Sequence, residues 1–378
     1  MSDILIINGT VVDGTGAPAF PADVRVRGGV IAEVGPGLAP QGERVFDASG
    51  CHVAPGFIES HTHYDGTMWW QPDLDPLPGY GATTMILGNC GFSPAPLHKY
   101  MPAQREMIGI FSFFEDIPID PFFQNLPWDW NLWSEYRASA ERNVRVPLNY
   151  AAYVGHIAIR LAAMGVEAWE RKATSAEIAH MAELLDDALA AGALGLSDNM
   201  HDHDGSDRAV PSMLACDDEF NALFDVMERH PAACYQVIVD TFMRMSGPAN
   251  LERLARLLKG RGIRVQVAGG IPTLEFQKGI LDPMRQSIDS MRAAGIDVWP
   301  GFAHVSPTNV LSIIKSLIFA QCNDYVWHEV VTAETADEKR ALLSDPEWRA
   351  RARASWDNEA WDHSPLKNPQ ELLLLDSE

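Results

Sequence analysis

Two histidines, His61 and His63, stand two residues apart directly after an apolar stretch at residues 53–58. In a β-strand, residues i and i+2 face the same side, so the two imidazoles would point in one direction. In α/β barrels, catalytic groups collect at the carboxyl ends of the strands. Two neutral imidazoles at such an end suit a divalent metal ion such as zinc. The alternative is a pair of polar histidines that end a strand and bind no metal.

A second candidate region surrounds Cys90. Residues 83–87 read as a strand that leads into a turn flanked by Gly88 and Gly91, which presents one thiol. Beside a cation this thiol would be held as the thiolate and could complete a metal site. Taken alone, Cys90 is better interpreted as a small buried residue on a tight turn. The histidines on the preceding strand reverse that preference, so we predict a divalent metal, zinc first, held by His61, His63 and Cys90.

Further polar residues could act in catalysis or substrate binding. They follow predicted strands closely, and loops at the carboxyl ends of barrel strands contribute to substrate sites. A carboxylate could be gripped by an arginine through two hydrogen bonds. For Asp65 the alternative is a turn cap or a solvated side chain. For residues 201–205, whose pattern could also bind a metal, the alternative is a solvated polar loop. The candidates are Asp65 as a catalytic residue, and His156, Arg160, His201, His203 and Arg208 as substrate-binding residues.

Two kinds of element must position these residues. The first 55 residues alternate short apolar stretches with turn signals such as Asn8-Gly9, which predict hairpins in a small antiparallel β unit. From residue 56 onward, apolar strands alternate with helices. Thr174 and Glu177, for example, form a capping-box pattern for a helix that Gly192 ends. Because consecutive parallel strands need such helical crossovers, the pattern predicts an α/β protein with a parallel sheet.

The predicted strands suffice for most of a TIM-like (β/α)8 barrel. They lie at residues 57–63, 83–87, 146–154, 194–197, 234–240, 263–268 and 296–299. The predicted organisation is an N-terminal β unit at 1–55, a barrel at 56–320 and a helical or irregular segment at 321–378. The last 60 residues supply no obvious eighth strand. Either the barrel closes in another way, or the chain ends before the architecture does.

The overall charge of the chain excludes some partners. Of its 378 residues, 29 are Lys or Arg and 51 are Asp or Glu, for a formal net charge of −22. Nucleic acid and anionic membrane surfaces would be repelled by such a protein. No apolar run approaches the roughly 18 residues of a membrane span. Five scattered cysteines do not suggest a disulfide framework, so we expect a soluble protein in a reducing, cytoplasmic setting.

Residues 66–133 are rich in Trp, Tyr and Phe. These side chains could line an apolar pocket for an acyl group. The interpretation we favour is packing of long loops together with a contact between copies of the chain, which would form a homo-oligomer.

The segments Pro-Gly-Phe-Ile-Glu-Ser-His-Thr-His at 55–63 and Gly-Asn-Cys-Gly-Phe-Ser-Pro-Ala-Pro at 88–96 resemble the amidohydrolase superfamily. More narrowly, they are similar to the N-acyl-D-amino-acid deacylases, over residues 1 to about 310. The resemblance implies a metal-dependent (β/α)8 barrel with a β-sandwich made from both chain ends. It also implies a small-molecule substrate, an N-acylated D-amino acid whose amide is cleaved. His61, His63 and Cys90 match metal-binding positions of that family.

The resemblance is incomplete at other family positions. Ile238 occupies the position of a ligand histidine at the end of the fifth strand, and Asp240 that of an arginine. Residues 268–271 lack the histidine of the sixth strand, and the family's acidic ligand belongs to the eighth strand. Three functions therefore stay open: hydrolysis of a linear amide, hydrolysis of a cyclic amide or another C–N bond, and ligand binding by an inactive barrel.

Overall fold

A computed structural model describes residues 3–99, 101–115, 117–204, 208–240, 246–270, 282–301, 326–327, 329–330, 333 and 335–357. The chain divides into two compact units, one formed by Met1–Ile58 and Pro76–Thr84 and the other by Glu59–Asp75 and Met85–Glu378. All candidate site residues belong to the second unit. The boundary between the two units after Ile58 lies near the predicted boundary at residue 55. The predicted organisation into three parts stays a prediction.

The first unit contains one mixed sheet. Its strands are β1 (Ile4–Val11), β2 (Phe20–Arg27), β3 (Val30–Gly35), β4 (Arg44–Asp47) and β5 (His52–Val53). Their order is β3-β2-β1-β4, and β5 also pairs with β1. β1–β2 and β2–β3 are antiparallel, but β4 and β5 run parallel to β1. The prediction of a purely antiparallel unit is therefore wrong, and a sandwich made with the other chain end stays a prediction.

The Asn8-Gly9 pair does not form the predicted hairpin turn. β1 continues through both residues, and its register shifts between Ile6 and Gly9 as in a β-bulge. Asn8 has a φ of 59°. Its N–H donates to Asp23 Oδ1 at 2.8 Å, and its side-chain amide donates to Asp47 Oδ1 at 3.0 Å. Carboxylates from two neighbouring strands thus satisfy the polar groups that a bulge leaves unpaired.

All seven stretches predicted as strands from residue 57 onward contain strands, but the single strand predicted at 146–154 is divided into two that belong to different sheets. β6 (Phe57–Glu59), β7 (Ala82–Leu87) and β8 (Asn149–Ala152) form a three-stranded sheet in that order. The second sheet has the order β13-β12-β11-β10-β9, and all its pairings are parallel. Its strands are β9 (Val154–Gly155), β10 (Gly195–Met200), β11 (Cys234–Val239), β12 (Arg264–Gly270) and β13 (Val298–Gly301).

Helices connect these strands, as parallel pairing requires. They are α1 (Met101–Glu115), α2 (Ile119–Asn125), α3 (Trp133–Asn143), α4 (His156–Met164), α5 (Ser175–Ala190), α6 (Asp217–Arg229), α7 (Gly247–Leu258) and α8 (Asp282–Ala293), followed by α9 (Ala336–Ser344) and α10 (Pro346–Trp356). The capping box at α5 is confirmed, because Thr174 Oγ1 accepts from Glu177 N–H and Glu177 Oε2 accepts from Thr174 N–H at 2.7 Å.

The predicted α/β architecture with parallel strands is confirmed, while closure into a barrel stays a prediction. Val237 of β11 and Val267 of β12 are fully buried, as expected for central strands covered on both faces. An eighth strand among residues 302–325 would lie outside the described residues. No helix within the described ranges combines the length and apolar character needed to span a lipid bilayer.

Candidate metal centre

The donor atoms of His61, His63 and Cys90 lie within 4.8 Å of one another. His61 Nε2 is 3.0 Å from Cys90 Sγ, and the two imidazole centroids are 5.3 Å apart. Zinc binds histidine nitrogen at about 2.0 Å and cysteine sulfur at about 2.3 Å, so donors sharing one tetrahedral ion lie roughly 3–4 Å apart. The three side chains therefore fit a single divalent ion. That they hold one in the protein stays a prediction.

The two histidines follow strand β6 and are not part of it. The predicted strand at 57–63 is too long, because β6 ends at Glu59. Thr62 nevertheless remains attached to the neighbouring strand, since its N–H and its hydroxyl both donate to Ile86 O, at 3.2 and 2.8 Å. This double anchor fixes the backbone between the histidines. The anchor therefore positions the rings of His61 and His63, which the alternation of side chains along a strand does not explain.

Cys90 occupies a backbone conformation that few side chains adopt. Its φ is 56°, in the left-handed region, and its neighbours Gly88 and Gly91 have φ values of 69° and 77°. A Cβ at Gly88 would lie 2.3 Å from Tyr153 O, so this position requires glycine. A non-glycine residue in this region costs on the order of 1–3 kcal/mol and persists only where the surroundings hold it.

Polar groups from β10 and β11 hold the Cys90 turn in place. Gln236 Oε1 accepts from Cys90 N–H at 3.0 Å, and Asn199 Nδ2 donates to Cys90 O at 3.0 Å. Ser197 Oγ accepts from Gly91 N–H at 3.0 Å. None of these three contacts was predicted from the sequence. The available signal was the polar Ser197-Asp198-Asn199 run inside a strand that is buried along its whole length.

The environment keeps both imidazoles neutral, which is the form that binds metals. Burial lowers the pKa of His61 to about 4. Burial and then the neighbouring His61 lower the pKa of His63 well below its usual value. The pKa of the Cys90 thiol is raised, first by burial and then by Glu115, Asp202 and Asp65. A bound cation would offset this effect, because a coordinating thiol is deprotonated.

Two carboxyl groups border the three donors. Asp65 is 1% exposed, and burial raises its pKa to about 7. Asp65 Oδ1 accepts from Gly88 N–H at 2.8 Å, whereas the buried Oδ2 has no hydrogen-bond partner among the described residues. Glu115, the last residue of α1, lies 3.4 Å from His63 through its Oε1. Burial, followed by Asp202 and Asp65, raises the pKa of Glu115 to about 8.

His156 and Arg160 lie in a separate, fully buried network. His156 Nδ1 is 3.0 Å from Asp198, and its Nε2 is 2.8 Å from Glu219. Arg160 forms an ion pair with the same Glu219. Burial alone would lower the pKa of His156, but Asp198 and Glu219 outweigh it and raise the pKa to about 9. Both predicted substrate-binding residues thus have partners inside the protein, and their contact with substrate stays a prediction.

The loop that follows β10 is folded inward. His201 and His203 are only 9% and 6% exposed, so the interpretation as a solvated loop is wrong for them. The reason is that Asn199 Oδ1 accepts from the backbone N–H groups of His201 and Asp202, at 3.0 and 2.9 Å. His201 also lies 3.6 Å from the carboxylates of both Asp202 and Asp240.

Arg208 lies at the surface, where other groups already engage it. It is 48% exposed and pairs with Asp204 at 2.6 Å. Its guanidinium also lies 4.4 Å from the ring centroid of Trp169. A role for Arg208, His201 or His203 in binding substrate stays a prediction.

Comparison with known proteins shows which family this chain belongs to. A model of the amidohydrolase family matches residues 44–305. The chain is 40% identical over 197 residues to the N-acyl-D-aspartate deacylase of Alcaligenes xylosoxydans xylosoxydans, a match that covers 52% of this chain and 36% of that protein. The chain therefore spans little more than a third of that relative's length.

Two solved structures are similar over more of the chain. The crystal structure of a D-aminoacylase superimposes with a TM-score of 0.65 at 30% identity, covering 79% of this chain and 58% of that one. The N-acyl-D-glutamate deacylase of Bordetella bronchiseptica, complexed with zinc and a phosphonate inhibitor, has a TM-score of 0.65 at 29% identity and the same coverage. Together with the family match over most of its length, these findings establish that the chain belongs to the amidohydrolase family.

Proposed function

We propose that this protein is a metal-dependent hydrolase of linear amide bonds that deacylates N-acyl-D-amino acids. The observation that carries the proposal is the convergence of His61, His63 and Cys90 within 4.8 Å. The names of its relatives, N-acyl-D-aspartate deacylase and D-aminoacylase, supply the substrate class. We also propose that the three-stranded and the five-stranded sheets close into a TIM-like barrel with the metal site at the carboxyl ends of its strands.

The ion we propose is zinc, because two neutral imidazoles and one thiolate are donors that zinc prefers. When bound, such an ion polarises a carbonyl and lowers the pKa of water. His61, His63 and Cys90 would hold it. The Cys90 turn is fixed by Gln236 and Asn199, so this donor would need little rearrangement.

Asp65 is the residue that we assign to proton transfer. A general base works best with a pKa near the operating pH, and burial brings the pKa of Asp65 to about 7. Its Oδ1 is fixed by Gly88 N–H, which leaves the buried Oδ2 to take up or release a proton. Of the predicted substrate-binding residues, we retain His201 and His203, since their loop is tied to Asn199 and hence to the Cys90 turn.

A non-catalytic binding protein is the second candidate function. The family resemblance favours it, because it implies ligand histidines at the ends of the fifth and sixth strands, where this sequence has Ile238 and, at residues 268–271, no histidine. A site of this kind could hold one ion and a ligand without turning the ligand over.

The test combines metal analysis with a substrate screen. We expect the purified chain to contain about one equivalent of zinc and to hydrolyse N-acetyl-D-amino acids in preference to L-amino acid derivatives and hydantoin rings. His61→Ala and His63→Ala should each lose the metal and the activity, because two donors cannot retain the ion. His180→Ala, an exposed histidine on α5, is the matched control and should keep both.

Three results would contradict the proposal. A wild-type chain that takes up no zinc would refute the metal site. Turnover of hydantoin rings alone would favour a cyclic-amide hydrolase. Full metal occupancy without turnover of any compound in the screen would favour the binding protein.

A further inference from the structure

Asn199, near the end of β10, connects the Cys90 turn to the loop that follows this strand. Its side chain is fully buried and makes four hydrogen bonds. On one side, Nδ2 donates to Cys90 O at 3.0 Å and to Asp202 Oδ2 at 2.7 Å. On the other side, Oδ1 accepts from the backbone N–H groups of His201 and Asp202, at 3.0 and 2.9 Å. One carboxamide therefore bonds both the turn that presents a metal donor and the loop that contains His201.

These contacts require an amide at position 199. A carboxamide can donate two hydrogen bonds and accept two, so Asn199 uses its whole capacity. Only one orientation of the amide fits. The groups next to Nδ2 are a carbonyl and a carboxylate, which accept, and the groups next to Oδ1 are N–H donors. An aspartate of the same shape would turn both donor contacts into contacts between oxygen atoms.

The loop held by Asn199 lies close to the metal centre. Asp202 is 6% exposed, and its charge acts on the Cys90 thiol, whose pKa is raised first by burial, then by Glu115 and then by Asp202. The Cys90 turn also packs directly against Asn199, since a Cβ at Gly91 would lie 3.3 Å from the Asn199 Cβ. The side chain of Asn199 thus occupies the space between the turn and the loop.

We propose that Asn199 is a positioning residue that links the Cys90 turn to the loop after β10, so that zinc bound at Cys90 also orders His201 and Asp202. This inference rests on the proposed function, since it requires an ion at Cys90. An ion held by the thiol restrains the turn, and the hydrogen bonds of Asn199 pass that restraint to the loop backbone. Because coupling between two sites is reciprocal, a fixed loop also strengthens zinc binding.

The test measures zinc affinity and loop order in the same variants of the full chain. Competition with a chromophoric chelator gives the zinc affinity. Hydrogen exchange, read by mass spectrometry, reports the backbone N–H groups of His201 and Asp202. In the wild-type chain, zinc should slow this exchange by about 5-fold or more. In Asn199→Asp, zinc affinity should fall by about 10- to 100-fold, and saturating zinc should no longer slow the exchange.

A double variant separates the two ends of the link. Asn199→Asp combined with Asp202→Asn exchanges donor and acceptor between the two positions, which restores the loop contact. The carboxylate at position 199 still cannot donate to Cys90 O. The double variant should therefore show wild-type exchange without metal, while its zinc affinity stays low and zinc leaves the exchange unchanged. Because it contains no opposed carboxylates at these positions, it decides alone if Asn199→Asp folds poorly.

Asn125→Asp is the matched control, because it introduces the same charge at an exposed position on α2. It should keep the zinc affinity and the zinc-dependent exchange of the wild-type chain. A wild-type chain that binds zinc without any change in loop exchange would overturn the inference. The same holds if Asn199→Asp keeps either its zinc affinity or the effect of zinc on the loop, or if the double variant regains full zinc affinity. A wild-type chain that binds no zinc would instead refute the proposed function.

Discussion

Two of the buried groups of histidines and carboxylates in the described part of the chain differ in how far the protein supplies partners for the histidine. In the network of His156, both ring nitrogens face carboxylates, and Arg160 pairs with one of these acids. In the candidate metal centre, His63 Nδ1 and Asp65 Oδ2 are buried without hydrogen-bond partners among the described residues. The histidine of the first group thus has a carboxylate at each ring nitrogen, although Arg160 Nε beside it lacks a partner among the described residues, whereas the second group leaves a histidine nitrogen and a carboxylate oxygen without partners.

The charge on the histidines also differs between the two groups. The carboxylates Asp198 and Glu219 raise the pKa of His156 to about 9, so this ring carries a charge at neutral pH. Burial lowers the pKa of His61 to about 4, so that ring stays neutral. A buried imidazole held between acids therefore acts as an internal cation, and one buried beside a thiol is prepared to act as a ligand.

Replacing Glu219, which contacts both His156 and Arg160, should have the largest effect on stability. Glu219→Gln leaves Arg160 without its counter-charge in a fully buried position, and it leaves His156 with Asp198 alone. Breaking a buried ion pair in this way costs about 3–5 kcal/mol of unfolding free energy. Urea unfolding of metal-free protein measures it, and Asp218→Asn, at an exposed neighbour on the same helix, should change little. If Glu219→Gln lost zinc when it was purified with the metal, while the metal-free variant kept wild-type stability, the two groups would not be separate.

The pH dependence of stability should report the charge on His156. Its pKa is about 9 in the folded protein and near 6.5 otherwise. The folded state thus holds this proton more tightly, so the stabilisation is complete below pH 6.5 and is lost as the pH rises through 9. The groups facing His156 are Asp198, Glu219 and Arg160, and Tyr235 donates to Asp198 at 2.6 Å.

The expected loss over this range is on the order of 3 kcal/mol. Urea unfolding across that range measures it, with His156→Gln as the control that should flatten the decline. Equal slopes in both proteins would mean that His156 is not the titrating group.

The smallest effect is expected at Arg208. Its pair with Asp204 is at the surface, and the guanidinium is 48% exposed. Exposed ion pairs contribute about 0–1 kcal/mol, so Arg208→Ala should leave the unfolding free energy nearly unchanged. Steady-state kinetics provides the sharper measurement. A large rise in KM at unchanged stability would identify Arg208 as a substrate contact.

The sequence predicts the elements of this fold better than the contacts between them. Each of the seven stretches that the hydrophobic pattern and the glycine stops predicted as strands contains a strand, and the pattern at Thr174 located the start of α5. Such signals are local, because apolar periodicity and capping depend on residues within one or two turns. The hairpin turn predicted at Asn8-Gly9 was wrong because local signals do not include other strands, and the carboxylates that hold this bulge come from other strands.

Of the residues at the metal centre, only those in local sequence motifs were predicted. The spacing of His61 and His63, together with the glycine-flanked turn at Cys90, indicates metal binding from the sequence alone. Glu115 stands 52 positions after His63, and Gln236 stands 146 positions after Cys90, so no spacing rule connects them. The partners of His156 are likewise distant, because Asp198 of β10 and Glu219 of α6 lie 42 and 63 positions after it.

The left-handed backbone at Cys90 limits how this site could be redesigned for another ion. A φ of 56° is incompatible with β-branched side chains, whereas Asp and Asn tolerate such angles. Aspartate is also about as short as cysteine and offers the oxygen donor that magnesium and manganese favour. Anyone wishing to exchange a sulfur-preferring ion for an oxygen-preferring one would therefore begin with Cys90→Asp, leaving both flanking glycines untouched.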